Sequence, residues 1–62
     1  MKSRDIIKAL RTDGWEEVRQ RGSHLHFRHP EKPGIVTVPH PSSDMAIGTI
    51  KSIERQSGVK LR

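Results

Sequence analysis

The first apolar residues of the chain are spaced for one side of a helix. Three of them recur at short helical intervals: Ile6, Ile7 and Leu10. Residues at such spacing meet on a single helical face. Ser3 precedes them and is predicted to cap the helix, since a serine side chain accepts hydrogen bonds from free backbone N–H groups at that end. Gly14 is predicted to end the helix, so the first element should lie between these two residues.

Two short stretches that are predicted to form strands come next. They run from Trp15 to Arg21 and from His24 to His29, with Gly22 and Ser23 between them. A two-residue loop that begins with glycine favours a type II′ hairpin turn. The turn then predicts five cross-strand pairs: Arg21 with His24, Gln20 with Leu25, Arg19 with His26, Val18 with Phe27, and Glu17 with Arg28.

This register separates the hairpin side chains by chemistry. Val18, Leu25 and Phe27 share one face, which is apolar enough to pack against helices. The other face carries the polar and charged side chains Glu17, Arg19, Arg21, His24, His26 and Arg28. A shift by one residue would mix the two sets, so the pattern supports the predicted turn.

The remaining elements are a third strand and a second helix. The β-branched run from Ile35 to Val38 predicts the strand. Ile50 and Ile53, one helical turn apart, predict a helix that ends at Gly58. We predict its start near residues 48 or 49, although Asp44 could also cap it. The order helix, three antiparallel strands, helix predicts an α+β fold with both helices on one face of the sheet.

The length of the chain limits its core. A chain of 62 residues buries only about 60% of the surface that its unfolded form exposes, so we expect a single domain over residues 1–62. The candidate core residues are Ile6, Ile7, Leu10, Trp15, Val18, Leu25, Phe27, Ile35, Val36, Val38, Ile47, Ile50, Ile53 and Val59. The absence of cysteine excludes disulfides, thiolate nucleophiles and thiolate metal sites.

The charge balance favours a polyanionic partner. Twelve Lys and Arg residues against seven Asp and Glu residues give a formal net charge of +5, which suits nucleic acid. An acidic membrane surface would also attract such a chain. However, no apolar run approaches the ~20 residues of a spanning helix, and the N-terminal residues do not resemble a signal peptide. We therefore expect a cytoplasmic protein that does not associate with membranes.

The histidines supply the candidate chemistry. His24 and His26 project from the basic face of the hairpin, whereas His29 falls on the core side and is predicted to be structural. His40 lies between two prolines and has no predicted role. An imidazole can take the proton of a ribose 2′-hydroxyl, which then attacks the adjacent phosphate while cations stabilise the extra negative charge. His24 beside Arg21 suits this reaction, but on the residues alone a passive phosphate contact or an ordinary surface histidine remains the alternative.

The other ligand classes have less support. His24 and His26 share a face, but Glu17 is the only carboxylate predicted there and the arginines would repel a cation, so we expect neither a metal nor another cofactor. Trp15 and Phe27 are predicted to pack in the core and not to stack on bases. RNA contacts would then involve phosphates and sugars, with the candidates Arg19, Arg21, Ser23, His26, Arg28 and Lys51. DNA binding is less favoured because no second helix of a helix-turn-helix follows the first.

Several short motifs follow one another along the chain: Asp13-Gly14-Trp15, Gly22-Ser23-His24, the run from Val36 to His40, the run from Gly48 to Ile53, and Gln56-Ser57-Gly58. Together, in this order and in so short a chain, they resemble the HicA family of toxins from HicA-HicB toxin-antitoxin pairs. The resemblance implies a fold like the double-stranded-RNA-binding domain and an mRNA endonuclease that arrests translation until a HicB-type antitoxin covers it. It assigns His24 to the family's catalytic histidine. We expect a toxin that is monomeric when free of antitoxin. The rival hypothesis is a non-catalytic RNA-binding module that uses the same basic face of the hairpin.

Overall fold

The five elements of the fold follow the predicted order. A computed structural model describes all residues from Met1 to Arg62. The elements are helix α1 (Ser3–Asp13), strands β1 (Glu16–Arg21), β2 (His24–Arg28) and β3 (Val36–Pro39), and helix α2 (Ile47–Ser57). The strands form one antiparallel sheet in the order β1-β2-β3. The predicted α+β class is confirmed, and the arrangement is consistent with a fold like the double-stranded-RNA-binding domain.

Both helices pack on the same side of the sheet. Buried residues alternate with more exposed ones along β2 and β3, so one face of these strands points into the core. The core consists of Ile6, Leu10, Trp15, Leu25, Phe27, Val36, Val38, Met45, Ile50 and Ile53. Ile7, Val59 and Leu61 pack against its margin. The opposite side of the sheet has no helix over it, and we call it the open face.

The predicted core is wrong at four positions. Val18, Ile35 and Ile47 are 53%, 46% and 55% exposed. Val18 lies at an irregularity of the edge strand β1, Ile35 precedes β3, and Ile47 is the first residue of α2. Met45 is buried instead, in the loop before α2. Its backbone N–H donates to the carbonyl of Met1, which holds that loop beside the start of α1.

A bulge in β1 changes the predicted register. The pairs of Arg21, Gln20 and Arg19 with residues 24, 25 and 26 are confirmed. Beyond Arg19 the register shifts by one residue, so that Phe27 faces Glu17 and Arg28 faces Glu16. The pairs predicted for Val18 and Glu17 are therefore wrong, because an extra residue in one strand displaces every partner beyond it.

Both helices begin differently from the prediction. Ser3 lies inside α1, after Lys2 at the N-cap, and its buried side chain makes no capping hydrogen bond. α2 starts at Ile47, one residue earlier than the predicted limit, after an N-cap at Ala46. Both predicted ends are confirmed: Gly14 and Gly58 have φ of 110° and 72°, a conformation that glycine adopts without steric cost.

A polar cluster joins the ends of the two helices. Lys32 Nζ donates to Asp13 Oδ2 at 2.6 Å and to the Ser57 carbonyl at 3.0 Å. His29 packs edge-on against Trp15, with 5.3 Å between the ring centroids. Its Nδ1 accepts from the Glu31 N–H, so Nε2 carries the proton and donates to the Asp13 carbonyl at 2.8 Å. Both ring nitrogens are thus occupied within the fold, which agrees with the structural role predicted for His29.

Asp13 should make stability depend on pH. The hydrogen bond from Lys32, together with its positive charge, lowers the pKa of Asp13 below 3.8 despite some desolvation. A lowered pKa in the folded state stabilises the protein above the ordinary pKa, and this contribution disappears as the pH falls through the lowered value. Asp13→Asn should therefore reduce the melting temperature at pH 7, and the difference from the parent should narrow towards pH 3. Thermal unfolding followed by circular dichroism measures both.

Asp44→Asn is the matched control for this prediction. Asp44 is exposed and makes no hydrogen bond or ion pair within the chain, so its replacement should leave the melting temperature close to that of the parent at both pH values. A difference between Asp13→Asn and the parent that stays constant from pH 7 to pH 3 would show that the Asp13 carboxylate does not stabilise the fold through its charge.

Candidate nucleic-acid interface

The open face collects basic and imidazole side chains from neighbouring strands. Directly opposite residues in a sheet project to the same side, and the pairs of Arg21 with His24 and Arg19 with His26 alternate with buried Leu25 and Phe27. Arg28 continues this row at the end of β2. The structure therefore brings together five of the residues predicted to contact RNA or to carry the chemistry: Arg19, Arg21, His24, His26 and Arg28.

The charge of the open face is predominantly positive. The ion pairs of the molecule involve Arg4, Arg11 and Lys32, so none of the three arginines on the open face forms an ion pair within this chain. Glu17, expected on this face, instead accepts a hydrogen bond of 3.2 Å from Arg11 of α1. The bulge causes this difference, and it places Glu16 opposite Arg28.

His24 is the most accessible imidazole of the open face. It is exposed, lies between Arg21 and Pro39 in the sheet, and makes no hydrogen bond with its side chain. Gly22 at the turn has φ of 58° while Ser23 has negative φ, which agrees with the predicted type II′ turn. Nothing lies within 4 Å of the position where a Cβ of Gly22 would stand. The hairpin turn next to His24 is therefore open beside Gly22.

His26 has a different environment from His24. Its Nδ1 lies 3.0 Å from the hydroxyl oxygen of Thr37, the residue opposite it in β3, and its side chain is half-buried. This contact fixes the orientation of the ring and leaves one nitrogen for a ligand. Thr37 is not among the site residues predicted from the sequence, although a polar residue within an otherwise apolar strand could have indicated it.

The two other predicted RNA contacts lie outside this row. Ser23 is at the tip of the hairpin, next to His24, and its carbonyl accepts the backbone N–H of His40 at 2.7 Å. Lys51 is exposed on α2, in the layer of helices, and no hydrogen bond or ion pair connects it to the sheet. A ligand that covers the open face would meet Ser23, whereas contact with Lys51 would require it to extend around the molecule.

The structure contains no cluster of three or more His, Asp or Glu side chains that could hold a metal ion. His24 and His26 share the open face without a carboxylate opposite either of them. His29 and His40 use ring nitrogens in hydrogen bonds elsewhere. None of the helices has the length and apolar character needed to cross a membrane.

Comparisons with known proteins agree with this geometry. The model of the family described as the HicA toxin of bacterial toxin-antitoxin systems matches residues 3–59. The fold is similar to a solved chain described as part of a HicA3 and HicB3 toxin-antitoxin complex. That match has a TM-score of 0.78 and 30% sequence identity, and it covers 100% of each chain. No curated protein matches the sequence.

Proposed function

Because the chain belongs to the HicA toxin family of bacterial toxin-antitoxin systems, we propose that it is an endoribonuclease that cuts mRNA and arrests translation. The observation that carries the proposal is the open face, where the exposed side chain of His24 makes no hydrogen bond within the chain and lies among arginines that form no ion pair. Unpaired arginines suit phosphate binding, and a free imidazole suits proton transfer.

The proposed reaction uses the ribose as its own nucleophile. His24 accepts the proton of a 2′-hydroxyl, and the oxygen forms a bond to the adjacent phosphorus. The bond from phosphorus to the 5′ oxygen of the next nucleotide breaks, and that oxygen takes up a proton from water, while His24 returns its proton to the solvent. The arginines of the open face stabilise the charge that accumulates on the phosphate oxygens. The reaction requires only groups that the chain, the RNA and water provide.

This chemistry predicts a particular substrate range and no need for a metal. Purified protein should cleave single-stranded RNA but not DNA of the same sequence, which lacks the 2′-hydroxyl. The rate should be similar with and without a strong chelator, because arginines supply the positive charge. Gel analysis of a labelled oligonucleotide measures both. Binding of the RNA without cleavage would instead favour a non-catalytic RNA-binding module.

The arginines should contribute to affinity independently of RNA sequence. Arg19→Ala, Arg21→Ala and Arg28→Ala should each weaken binding to unrelated RNAs, because phosphates carry no sequence information. Each should also make the slope of log affinity against log salt concentration shallower by about one, because one counterion fewer is released on binding. The measurement is RNA affinity across a series of salt concentrations, by fluorescence anisotropy.

Lys60→Ala is the control for charge alone. Lys60 is exposed, makes no ion pair and lies after α2, away from the sheet. Its replacement removes one positive charge and should leave the salt slope close to that of the parent. Equal slopes in all three arginine variants and the parent would move the RNA site to another surface.

The open face would also be the target of a protein inhibitor. The solved chain with 30% identity is described as part of a complex of HicA3 with HicB3, so a HicB-type antitoxin is the proposed partner of this chain. Covering His24 and the neighbouring arginines with acidic or bulky groups would exclude RNA directly. Such an interface should weaken as salt increases. The free toxin is proposed to be a monomer, with the open face available to RNA.

A further inference from the structure

His40, which lies outside the open face, is held in a defined orientation. His40 Nδ1 lies 2.7 Å from Oγ of Ser3, whose side chain is buried in the first turn of α1. The same oxygen accepts the backbone N–H of Ser42 at 2.9 Å. The Ser3 N–H in turn donates to the Ser42 carbonyl at 2.8 Å. These contacts fasten the loop that follows β3 to the start of α1.

The hydrogen bonds of Ser3 determine which nitrogen of His40 carries its proton. A buried hydroxyl hydrogen needs an acceptor, and the only side-chain nitrogen or oxygen beside Ser3 Oγ is Nδ1 of His40. Ser3 therefore donates to Nδ1, and Nε2 of His40 carries the N–H. The only buried side-chain polar atom that lacks a hydrogen-bond partner is Nε1 of Trp15. Nε2 of His40 also lacks a partner, so it is not buried and is accessible to solvent. His40 thus presents a fixed hydrogen-bond donor.

The cleft beside His40 has the chemistry of an anion site. It measures about 430 Å³ and is lined by Lys2, Ser3, Arg4, His40 and residues 41–43. These lining residues offer cations, hydroxyls and the imidazole, and none of them is a carboxylate. Arg4 has one carboxylate partner, Asp5, which lies 3.9 Å from its Nε in a pair whose side chains are 73% and 56% exposed. An exposed pair at that distance is weak, which leaves the guanidinium of Arg4 available to a phosphate.

The cleft adjoins the hairpin end of the open face. His24 pairs with Pro39 across β2 and β3, and the next residues are joined by the bond from the His40 N–H to the Ser23 carbonyl. Side chains alternate along a strand, so His24 projects to the open face while His40 projects to the helical side. The two imidazoles therefore lie on opposite sides of the same end of the sheet, around which one flexible strand could pass.

We infer that the cleft between the start of α1 and residues 40–43 binds a second phosphate of the single-stranded RNA whose cleavage we propose at His24. The inference depends on the proposed function, because it assigns the path of that substrate. His40 would donate from Nε2 and Arg4 would pair with the phosphate charge. His40 is then a binding residue, and its loss should affect affinity and not the chemical step.

Two variants test this assignment. In His40→Asn the amide oxygen can replace Nδ1 as the acceptor for Ser3 while the Nε2 donor is lost. Arg4→Ala removes the cation of an exposed residue. With single-turnover cleavage measured against protein concentration, each variant should raise the half-saturating concentration about tenfold, the effect of losing one hydrogen bond to a charged group. The plateau rate should change less than twofold. Lys60→Ala is the control, and thermal unfolding verifies that the variants fold.

The length of the RNA separates binding from a purely structural role. RNAs too short to reach from His24 to the cleft should be bound equally by the parent and both variants, whereas longer RNAs should show the tenfold difference. An equal loss at every length would show that His40 only stabilises the fold, and unchanged half-saturation with long RNA would show that no phosphate binds there. Loss of binding to the antitoxin alone would make the cleft a protein contact. If the parent does not cleave RNA at all, the proposed function is wrong, and the path of the substrate proposed here is wrong with it.

Discussion

The His24→Ala variant is expected to cleave RNA about 10²–10⁴ times more slowly than the parent, the usual contribution of a general base. Folding and RNA affinity should change little, because the side chain of His24 is exposed and makes no hydrogen bond within the chain. The arginines that bind phosphate remain in place. Single-turnover cleavage at saturating protein, in a buffer that contains a chelator, measures the chemical step. Expression of the variant should correspondingly lose its toxicity to cells.

His26→Ala is the matched control, because it removes an imidazole from the same face two residues away. His26 is half-buried and its Nδ1 is engaged with Thr37, so it is less free than His24 to exchange a proton with a ligand. Its replacement should cost less than the loss of His24. A folded His24→Ala protein that cleaves at nearly the parental rate would exclude His24 as the base. An equal loss in both variants would show that imidazole content matters more than position.

Phe27→Ala is expected to cause the largest loss of stability. Phe27 is 0% exposed at the centre of the core, and truncation of a buried phenylalanine costs about 3–5 kcal/mol. At the usual ~0.05–0.15 kcal/mol per residue, a loss of that size could consume most of the stability of so short a chain. The melting temperature should fall by at least about 12 °C, or the variant should be unfolded at room temperature. Thermal and urea unfolding measure the difference.

Val18→Ala provides the contrast with Phe27→Ala. The regular hairpin register would bury Val18 opposite Phe27, but the bulge leaves Val18 53% exposed. Its truncation should therefore cost less than about 1 kcal/mol. A loss comparable to that of Phe27→Ala would mean that Val18 is buried in solution and that β1 keeps the regular register.

The sequence predicts the elements of the fold because local patterns determine them. Glycine residues set the ends of both helices at Gly14 and Gly58, and Gly22 determines the hairpin turn with its first three cross-strand pairs. Alternation in β2 correctly separates buried Leu25 and Phe27 from His24 and Arg28. These features depend on interactions between residues that are close in the chain.

The errors arise where distant residues decide the outcome. The bulge between Glu17 and Arg19 accompanies a hydrogen bond from Arg11 of α1 to Glu17, which a hairpin pattern does not contain. Ser3 resembles a helix cap, but its hydroxyl is taken by His40 and Ser42, which are far away in sequence. Tertiary contacts of this kind override local preference.

In the candidate site, too, features set by neighbouring residues could be predicted and features set by distant residues could not. The position of His24 on an accessible face follows from the hairpin turn, so its place beside Arg21 could be predicted. The pairing of His26 with Thr37 requires the register between β2 and β3, which no turn of defined type specifies. The role of His40 depends on the packing of its loop against α1, and the sequence shows only a histidine between two prolines.

The ends of the RNA products test the proposed mechanism most directly. Attack by the ribose 2′-hydroxyl, with His24 as the base, must leave a 2′,3′-cyclic phosphate on one fragment and a 5′-hydroxyl on the other. Mass spectrometry of a short RNA after incubation with the purified protein and a chelator identifies these groups. The mechanism predicts a cyclic phosphate and a free 5′-hydroxyl at every cut. Fragments that carry a 5′-phosphate and a 3′-hydroxyl, or intact RNA after prolonged incubation with folded protein, would contradict it.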